Sequence, residues 1–304
     1  MSNYLAIDVG GTAIKYALCD ENATFADKGK VPTPKHDFDA FLNSIKEIYD
    51  KYSDKNIEAI VMSAPGKIDS SNGYFYTSGA LGYISGINLA DKLKEIIPVP
   101  LAVENDAKAA ALAELWKGSM KGVTNGFVMV LGTGLGGALI IDGKLYRGST
   151  FASGEISCVG TNLLEPYSSE NTWASTCGVH HMIKNYTDKI GKEESEVGGE
   201  ELFAHANEGN EDALNAIRYY CQVLATGIIS MQHIIDVEKI AVGGGISSAP
   251  LLMKTLQDEL DTQFAPFKGK LPATMPELVT CEFNNDANMI GALYHYLYEL
   301  KGTK

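Results

Sequence analysis

No CxxC pair occurs in this chain. Its five cysteines stand at positions 19, 158, 177, 221 and 281, a spacing that fits reduced thiols better than a disulfide framework or a zinc cluster. No apolar run is long enough to span a bilayer, and residues 1–10 lack the basic start of a secretory signal. A cytoplasmic protein with no membrane partner is therefore expected. Positive charge is also scarce: 25 Lys and Arg face 38 Asp and Glu, for a net charge of −13. The basic residues are scattered among acids, which excludes a general nucleic-acid footprint. What is present, 45% hydrophobic and 21% charged residues, is ordinary for a globular protein. A length of 304 residues exceeds one typical core, so two domains are the first expectation.

The stretch that organises the rest is Leu131, Gly132, Thr133, Gly134, Leu135, Gly136 and Gly137, followed by an apolar run over 138–141. It comes after a second apolar run, 127–130, that reads as a buried strand. Glycines let backbone N–H groups approach a phosphate where a Cβ would obstruct them. A dinucleotide fingerprint would open a helix at this point. Here the chain instead returns as a strand and turns at Asp142 and Gly143. The hairpin either holds a nucleotide phosphate, through its amides and the Thr133 hydroxyl, or closes tightly with no ligand.

A second copy of the pattern opens the chain. Residues 4–7 form a strand that enters Asp8, Val9, Gly10, Gly11, Thr12, Ala13, Ile14 and Lys15, and 16–19 return as a strand before polar turn residues from Asp20. Gly11 and Thr12 align with Gly132 and Thr133, and Asp20 with Asp142. The repetition suggests two related domains that close on one nucleotide, each with a phosphate loop. Asp8 is suited to Mg²⁺ through its waters, or is simply a turn-forming Asp before glycine. Lys15 either approaches phosphate or is a solvated strand lysine.

Between the hairpins, 37–52 carry the helical period of one apolar face, and 57–62 form a buried strand broken at Ser63, Ala64, Pro65 and Gly66. Residues 69–86 read as hairpins and loops, 89–96 as a helix and 98–103 as a strand. Glu104, Asn105 and Asp106 then precede an Ala- and Leu-rich helix. Either Asn105 or Asp106 suits the N-cap. A cap needs one of them, so the pair on a strand-to-helix turn is also a candidate for chemistry. The carboxylate can accept a hydroxyl proton, and Asn105 can hold a second hydroxyl. Further on, Gly154 and Glu155 lie in a turn, and 198–210 read as a polar loop into a long helix, 211–235, whose buried stripe includes Met231 and Ile235. A strand over 239–242 enters a third glycine turn, Gly243, Gly244, Gly245, Ile246 and Ser247, before a helix over 251–264. A helix over 287–300 ends the chain and is expected to pack on the first domain.

As an ordered set, Asp8-x-Gly-Gly-Thr-x-x-Lys15, Pro65-Gly66, Glu104-Asn105-Asp106, Gly132-Thr133-Gly134, Gly154-Glu155 and Gly243-Gly244-Gly245 resemble the ROK family (repressor, open reading frame, kinase). The resemblance runs from Asp8 to the last helix. It implies the α/β, two-domain, actin-like (ribonuclease-H-like) ATPase fold of sugar kinases. Residues 1–116, completed by a C-terminal helix over 287–304, would form the first domain, and 117–286 the second. It also implies a transferase that uses ATP and Mg²⁺, with Asp106 as general base. Asn105 and Glu155 would hold sugar hydroxyls, with Gly66, Tyr83 and Cys158 also at the sugar. Gly10, Gly11, Thr12, Lys15, Gly132, Thr133 and Gly134 would meet the ATP phosphates, and Gly243, Gly244, Gly245 and Ser247 the adenosine. Asp8 would serve the Mg²⁺.

The chain departs from the family pattern in three places. The GExGH motif reads Gly154, Glu155, Ile156, Ser157, Cys158, with Cys158 in place of a His that binds zinc and sugar. The cysteine cluster that follows is absent, so no zinc site is expected, because a structural one needs about four ligands. The family's Asn-Leu-x-Gly-Trp loop is replaced by Ser78 to Tyr83, which brings a ring suited to stack on a second sugar. This zinc-less pattern looks most like the β-glucoside kinases, with phosphorylation of a primary, 6-type hydroxyl. Glucokinase and N-acetylmannosamine kinase are the alternatives. From another class comes a sugar-binding ROK regulator without a DNA-binding domain; a helix-turn-helix would have to precede the loop that starts at Asp8. A homodimer is left open.

Overall fold

The structure, a computed structural model, describes residues 2–132 and 134–302, and Thr133 of the second glycine turn lies outside the described residues. The chain divides into two compact units. The first consists of Met1–Lys121, Arg147–Ala152 and Asn285–Lys304. Its elements are β1 (Asn3–Val9), β2 (Ala13–Cys19), β3 (Phe25–Pro32), α1 (Phe38–Asp50), β4 (Ile57–Ala64), the short strands β5 (Ile68–Asp69), β6 (Tyr74–Phe75) and β7 (Ile87–Asn88), α2 (Leu89–Lys94), β8 (Leu101–Asn105) and α3 (Asp106–Lys117).

The main sheet has the order β3-β2-β1-β4-β8. The β1–β2–β3 meander is antiparallel, whereas β4 and β8 run parallel to β1. Strands buried on both faces need no polar side, which is why 59–62 read as a continuous apolar run. Successive residues of β1 feed different cores: Leu5 and Ile7 face one with Phe41 and Ile45 of α1, while Tyr4 and Ala6 face another. Asp37 starts α1 by accepting the Ala40 N–H over 3.0 Å, the satisfaction of a first-turn donor that caps provide. The strand β3 has no counterpart in the sequence reading. Its run FADKGKVP is mostly exposed or half-exposed, and its β character comes from pairing with β2, with a register shift between Tyr16 and Leu18.

The second unit, Gly122–Tyr146 with Ser153–Asn284, contains β9 (Gly126–Leu131), β10 (Leu135–Ile141), β11 (Lys144–Tyr146), α4 (Trp173–Cys177), α5 (Val179–Ile190), α6 (Gly199–Asn207), α7 (Glu211–Ile235), β12 (Lys239–Gly243), α8 (Pro250–Phe264) and β13 (Glu277–Thr280). Its sheet order is β11-β10-β9-β12-β13. Here too a meander leads, and β12 and β13 join in parallel. The two units therefore repeat one topology.

Two expectations are corrected in this unit. The stretch read as a polar loop over 198–210 holds α6, which forms because Leu202, Phe203 and Ala206 bury one side of it. The stripe of α7 ends on buried Gln232 rather than on Met231 and Ile235, which are only partly covered. Gln232 is tolerated there because it donates to Val237 O and accepts from Val237 N, at 2.9 and 3.1 Å.

The chain returns to the first unit as α9 (Ala287–Tyr294), which lies against α3, β1 and β4 and continues as a π-helical run over His295–Leu300. Segment 147–152, expected in the second domain, belongs to the first unit as well. Among the described residues no helix is long and apolar enough to cross a membrane.

Candidate active site

The catalytic candidate forms where β8 becomes α3. Asn105 is the N-cap: its Oδ1 accepts the Lys108 N–H over 3.1 Å. Its Nδ2 donates both to Asp106 Oδ1, at 2.9 Å, and to the carbonyl of Gly66, at 3.1 Å. Asp106 Oδ1 also accepts the Ala107 N–H over 2.8 Å. Two donors thus fix the rotation of the carboxylate, which is half-exposed above a buried Asn105. Gly66 is required where it stands. Its φ is +113°, and a Cβ would sit 2.2 Å from Thr77 O, a conformation and a space open only to glycine. The sequence-level choice between Asn105 and Asp106 as cap is thereby resolved in favour of Asn105.

Asp8 is the penultimate residue of β1 and is buried. Its Oδ1 accepts from Ser63 Oγ at 2.7 Å and Asn288 Nδ2 at 2.9 Å, while Lys15 Nζ lies 3.6 Å from Oδ2. Lys15 pairs directly with Asp8 across β1 and β2 and keeps a side chain 44% exposed. The Gly10 amide closes its own turn onto Ala13 O at 3.0 Å. In the second unit Gly132 behaves alike, donating to Gly134 O at 3.0 Å. The Gly132 carbonyl accepts the first amide of α5, from Val179, at 3.2 Å. Gly243 pairs with Val130 beside this hairpin, and the turn after it is closed by Ser247, whose N and Oγ both donate to Gly244 O, at 3.1 and 2.8 Å. Space is open at Gly134 and Gly245, with no atom within 4 Å of where a Cβ would stand.

Glu155 follows Gly154, whose backbone rests against Gly137 of β10. Cys158 closes the short helical turn after it and is exposed. Cys177 is buried elsewhere in the same unit, and burial pushes its thiol up to about 12. Tyr83, in the first unit, is half-buried; its ring lies 6.1 Å from that of Phe41 and its hydroxyl donates to Pro34 O.

A buried ion network behind the β8–α3 turn is absent from the sequence reading. Glu104 is fully buried, with Oε1 accepting the Asn105 N–H at 2.8 Å and Oε2 taking Arg147 Nε at 2.8 Å and Nη2 at 2.6 Å. Arg147 also pairs with Glu299, which bonds His295 Nδ1 over 2.6 Å. Burial opposes charge on both groups, yet the neighbours win. Glu104 and Glu299 raise the Arg147 pKa, and the hydrogen bonds of His295 and Arg147 lower that of Glu299. The signal was available: an acid inside a buried strand requires a partner. The partner itself, 43 residues away, was not.

The donors fit Mg²⁺ and ATP in kind. Asp8 offers a carboxylate held from behind by Ser63 and Asn288, and the tips at Gly134 and Gly245 offer bare backbone.

A glucokinase from Halalkalibacterium halodurans is 29% identical, over 95% of this chain and 93% of its own. A β-glucoside kinase from Listeria monocytogenes is 28% identical over 97% of both chains. The crystal structure of a ROK family protein from Streptococcus pneumoniae in complex with sucrose superposes with a TM-score of 0.86 at 28% identity, covering 98% of this chain and 99% of its own. The fold is the actin-like, ribonuclease-H-like one of the ROK sugar kinases, as the motifs led us to expect. The ROK family model itself matches residues 4–298, and the chain belongs to that family.

Proposed function

We propose that this sugar kinase transfers the γ-phosphoryl group of ATP to a primary hydroxyl, of the 6 type, on a β-glucoside or a hexose. The observation that carries the reading is Asp106 at the end of a buried strand, its carboxylate oriented by Asn105 and the Ala107 amide. A hydroxyl placed against this carboxylate loses its proton to Asp106 as its oxygen attacks phosphorus. Asn105 and Glu155 hold other hydroxyls of the same sugar, with Gly66, Cys158 and Tyr83 as further contacts. Gly11, Thr12, Lys15, Thr133 and Gly134 serve the phosphates, and Gly243, Gly245 and Ser247 the adenosine. Mg²⁺ beside Asp8, bound through water, supplies charge neutralisation on the transferred group. A reaction that draws on ATP belongs in the cytoplasm.

For the acceptor, two features favour a β-glucoside. Cys158 is exposed where the family's His is expected, and a thiol is a smaller, weaker hydrogen-bond partner. A relative 28% identical over 97% of both chains is a β-glucoside kinase. Tyr83 favours the second reading, glucokinase or N-acetylmannosamine kinase, because Phe41 and Pro34 already engage its ring and hydroxyl. A coupled ADP-release assay across glucose, N-acetylmannosamine, cellobiose and aryl β-glucosides separates them. The β-glucosides should show kcat/KM at least equal to that of glucose; refusal of every β-glucoside alongside efficient turnover of a free hexose would overturn the acceptor assignment.

A further inference from the structure

The ion network behind Asn105 and the support behind Asp8 rest on one helical run. From its first turn, Asn288 donates to Asp8 Oδ1 at 2.9 Å. One turn on, Gly291 lets the helix touch α3, since a Cβ there would lie 1.7 Å from Ala109 O. Further on, in the π-helical run, His295 and Glu299 bond each other at 2.6 Å, and Glu299 holds Arg147. Nε2 of His295 bonds Ser70 O at 3.0 Å, which ties the far side of the ring. π-Helical turns are rare and often mark functional sites. Ligand atoms of Glu104, His295 and Glu299 come within 4.8 Å of one another. The Arg147 guanidinium already stands among them as their cation, so they do not make a metal centre.

We propose that this network positions the catalytic turn. His295 and Glu299 hold Arg147, Arg147 holds Glu104 Oε2, and Glu104 Oε1 fixes the backbone N–H of Asn105, the residue that orients Asp106. Arg147 and Glu104 are positioning residues that touch no substrate. The same helix supports Asp8 through Asn288, so one rigid element sets the acid of the phosphate hairpin and the base of the acceptor site in register. The proposal rests on the kinase reading with Asp106 as base.

The test uses the full-length protein and three variants: Arg147→Lys, the pair Arg147→Met with Glu104→Gln, and the pair Arg147→Met with Glu104→Met. Each pair removes both charges, so no lone buried ion is left to unfold the protein. Only the Gln pair keeps an acceptor for the Asn105 N–H. A core variant remote from the network, Ile45→Val, serves as a control for lost stability. Kinetics are measured well below each thermal midpoint. The Met pair should lose roughly ten- to a hundredfold in kcat, the scale of a misplaced catalytic group. Its KM values for ATP and sugar should stay within about threefold of the parent's. The Gln pair should recover most of that loss, and Ile45→Val should keep full kcat. Equal kcat in the two pairs, or a Met pair within about twofold of the parent, would overturn the positioning role. Should the Met pair not fold, Arg147→Lys decides: parental kcat overturns the role, and a reduced kcat at unchanged KM supports it. A parent that phosphorylates no sugar overturns the kinase reading itself, whereas an active parent with unaffected variants overturns only this proposal.

Discussion

The side-chain nitrogen of Asn105 lies 2.9 Å from Asp106 Oδ1 while its oxygen caps α3 at Lys108 N, 3.1 Å away. One residue therefore caps the helix and holds the proposed base, and substitution separates the two contacts. Asn105→Ser keeps an oxygen for the cap but loses the amide donor. Asn105→Ala loses both and should cost about 1 kcal/mol in stability. Melting curves should rank Ser near the parent and Ala below it, with kcat reduced in both. Full activity in Asn105→Ser would separate the Asn105 amide from catalysis.

Asp106→Asn should keep the fold and most sugar affinity while kcat falls by roughly two to four orders of magnitude, the worth of a positioned base. Calorimetric titration with sugar and the ADP-release assay measure the two effects independently. Near-parental turnover removes Asp106 from the mechanism.

At most exposed helix positions Gly→Ala stabilises by about 0.4–1 kcal/mol. Gly291→Ala should do the reverse, because its Cβ would meet Ala109 O at 1.7 Å. Overpacking of this kind costs about 1–3 kcal/mol. The sign of the change in thermal midpoint is the test, and a stabilised variant would show that α9 and α3 are not in contact there.

Thiol labelling should single out Cys158. It is exposed, whereas Cys19, Cys177, Cys221 and Cys281 are buried. Burial also pushes the Cys19 and Cys177 thiols up to about 12 and raises Cys221 as well, far from the thiolate that alkylates. At pH 8 iodoacetamide should modify Cys158 first, as read by peptide mass, and saturating sugar should slow that reaction. Labelling unaffected by every bound sugar argues against Cys158 as a sugar contact.

Acid should weaken the network through Glu299. Burial works against its charged form, but the hydrogen bonds from His295 and Arg147 prevail and lower its pKa from 4.5. A carboxyl depressed in the folded state stabilises above its unfolded pKa, and the contribution is lost as pH falls through the folded one. Parent and Glu299→Gln should therefore differ in thermal midpoint at neutral pH and converge as pH drops below about 4.5. A constant difference down to strong acid contradicts the pairing.

Much of this was legible from residue order. Both glycine hairpins, the β8–α3 turn, α7 and α8 announce themselves by apolar period, by glycine and by capping residues, all of which act locally. The Asn105–Asp106 turn was legible as a candidate because a strand-to-helix turn needs one cap and carries two candidates. The remainder depends on contacts distant in sequence. Nothing near 25–32 marks β3, which exists because β2 has an open edge, and nothing near Arg147 or Asn288 indicates Glu104 or Asp8. α6 was missed because its polar residues dominate its composition, whereas its three buried ones decide its state.

The edge made by β3 has its own consequence. An unpaired strand invites continuation by another chain, and proteins discourage this with charge, proline and irregular register. Here the edge strand alternates Asp27, Lys28 and Lys30 before ending on Pro32, and its pairing slips beside Tyr16. Lys28 is further drawn aside by its ion pair with Asp286. A neighbour laid along this edge would have to cover exposed lysines and would meet a proline with no N–H to give. Growth of the sheet by a second chain is therefore discouraged at this edge.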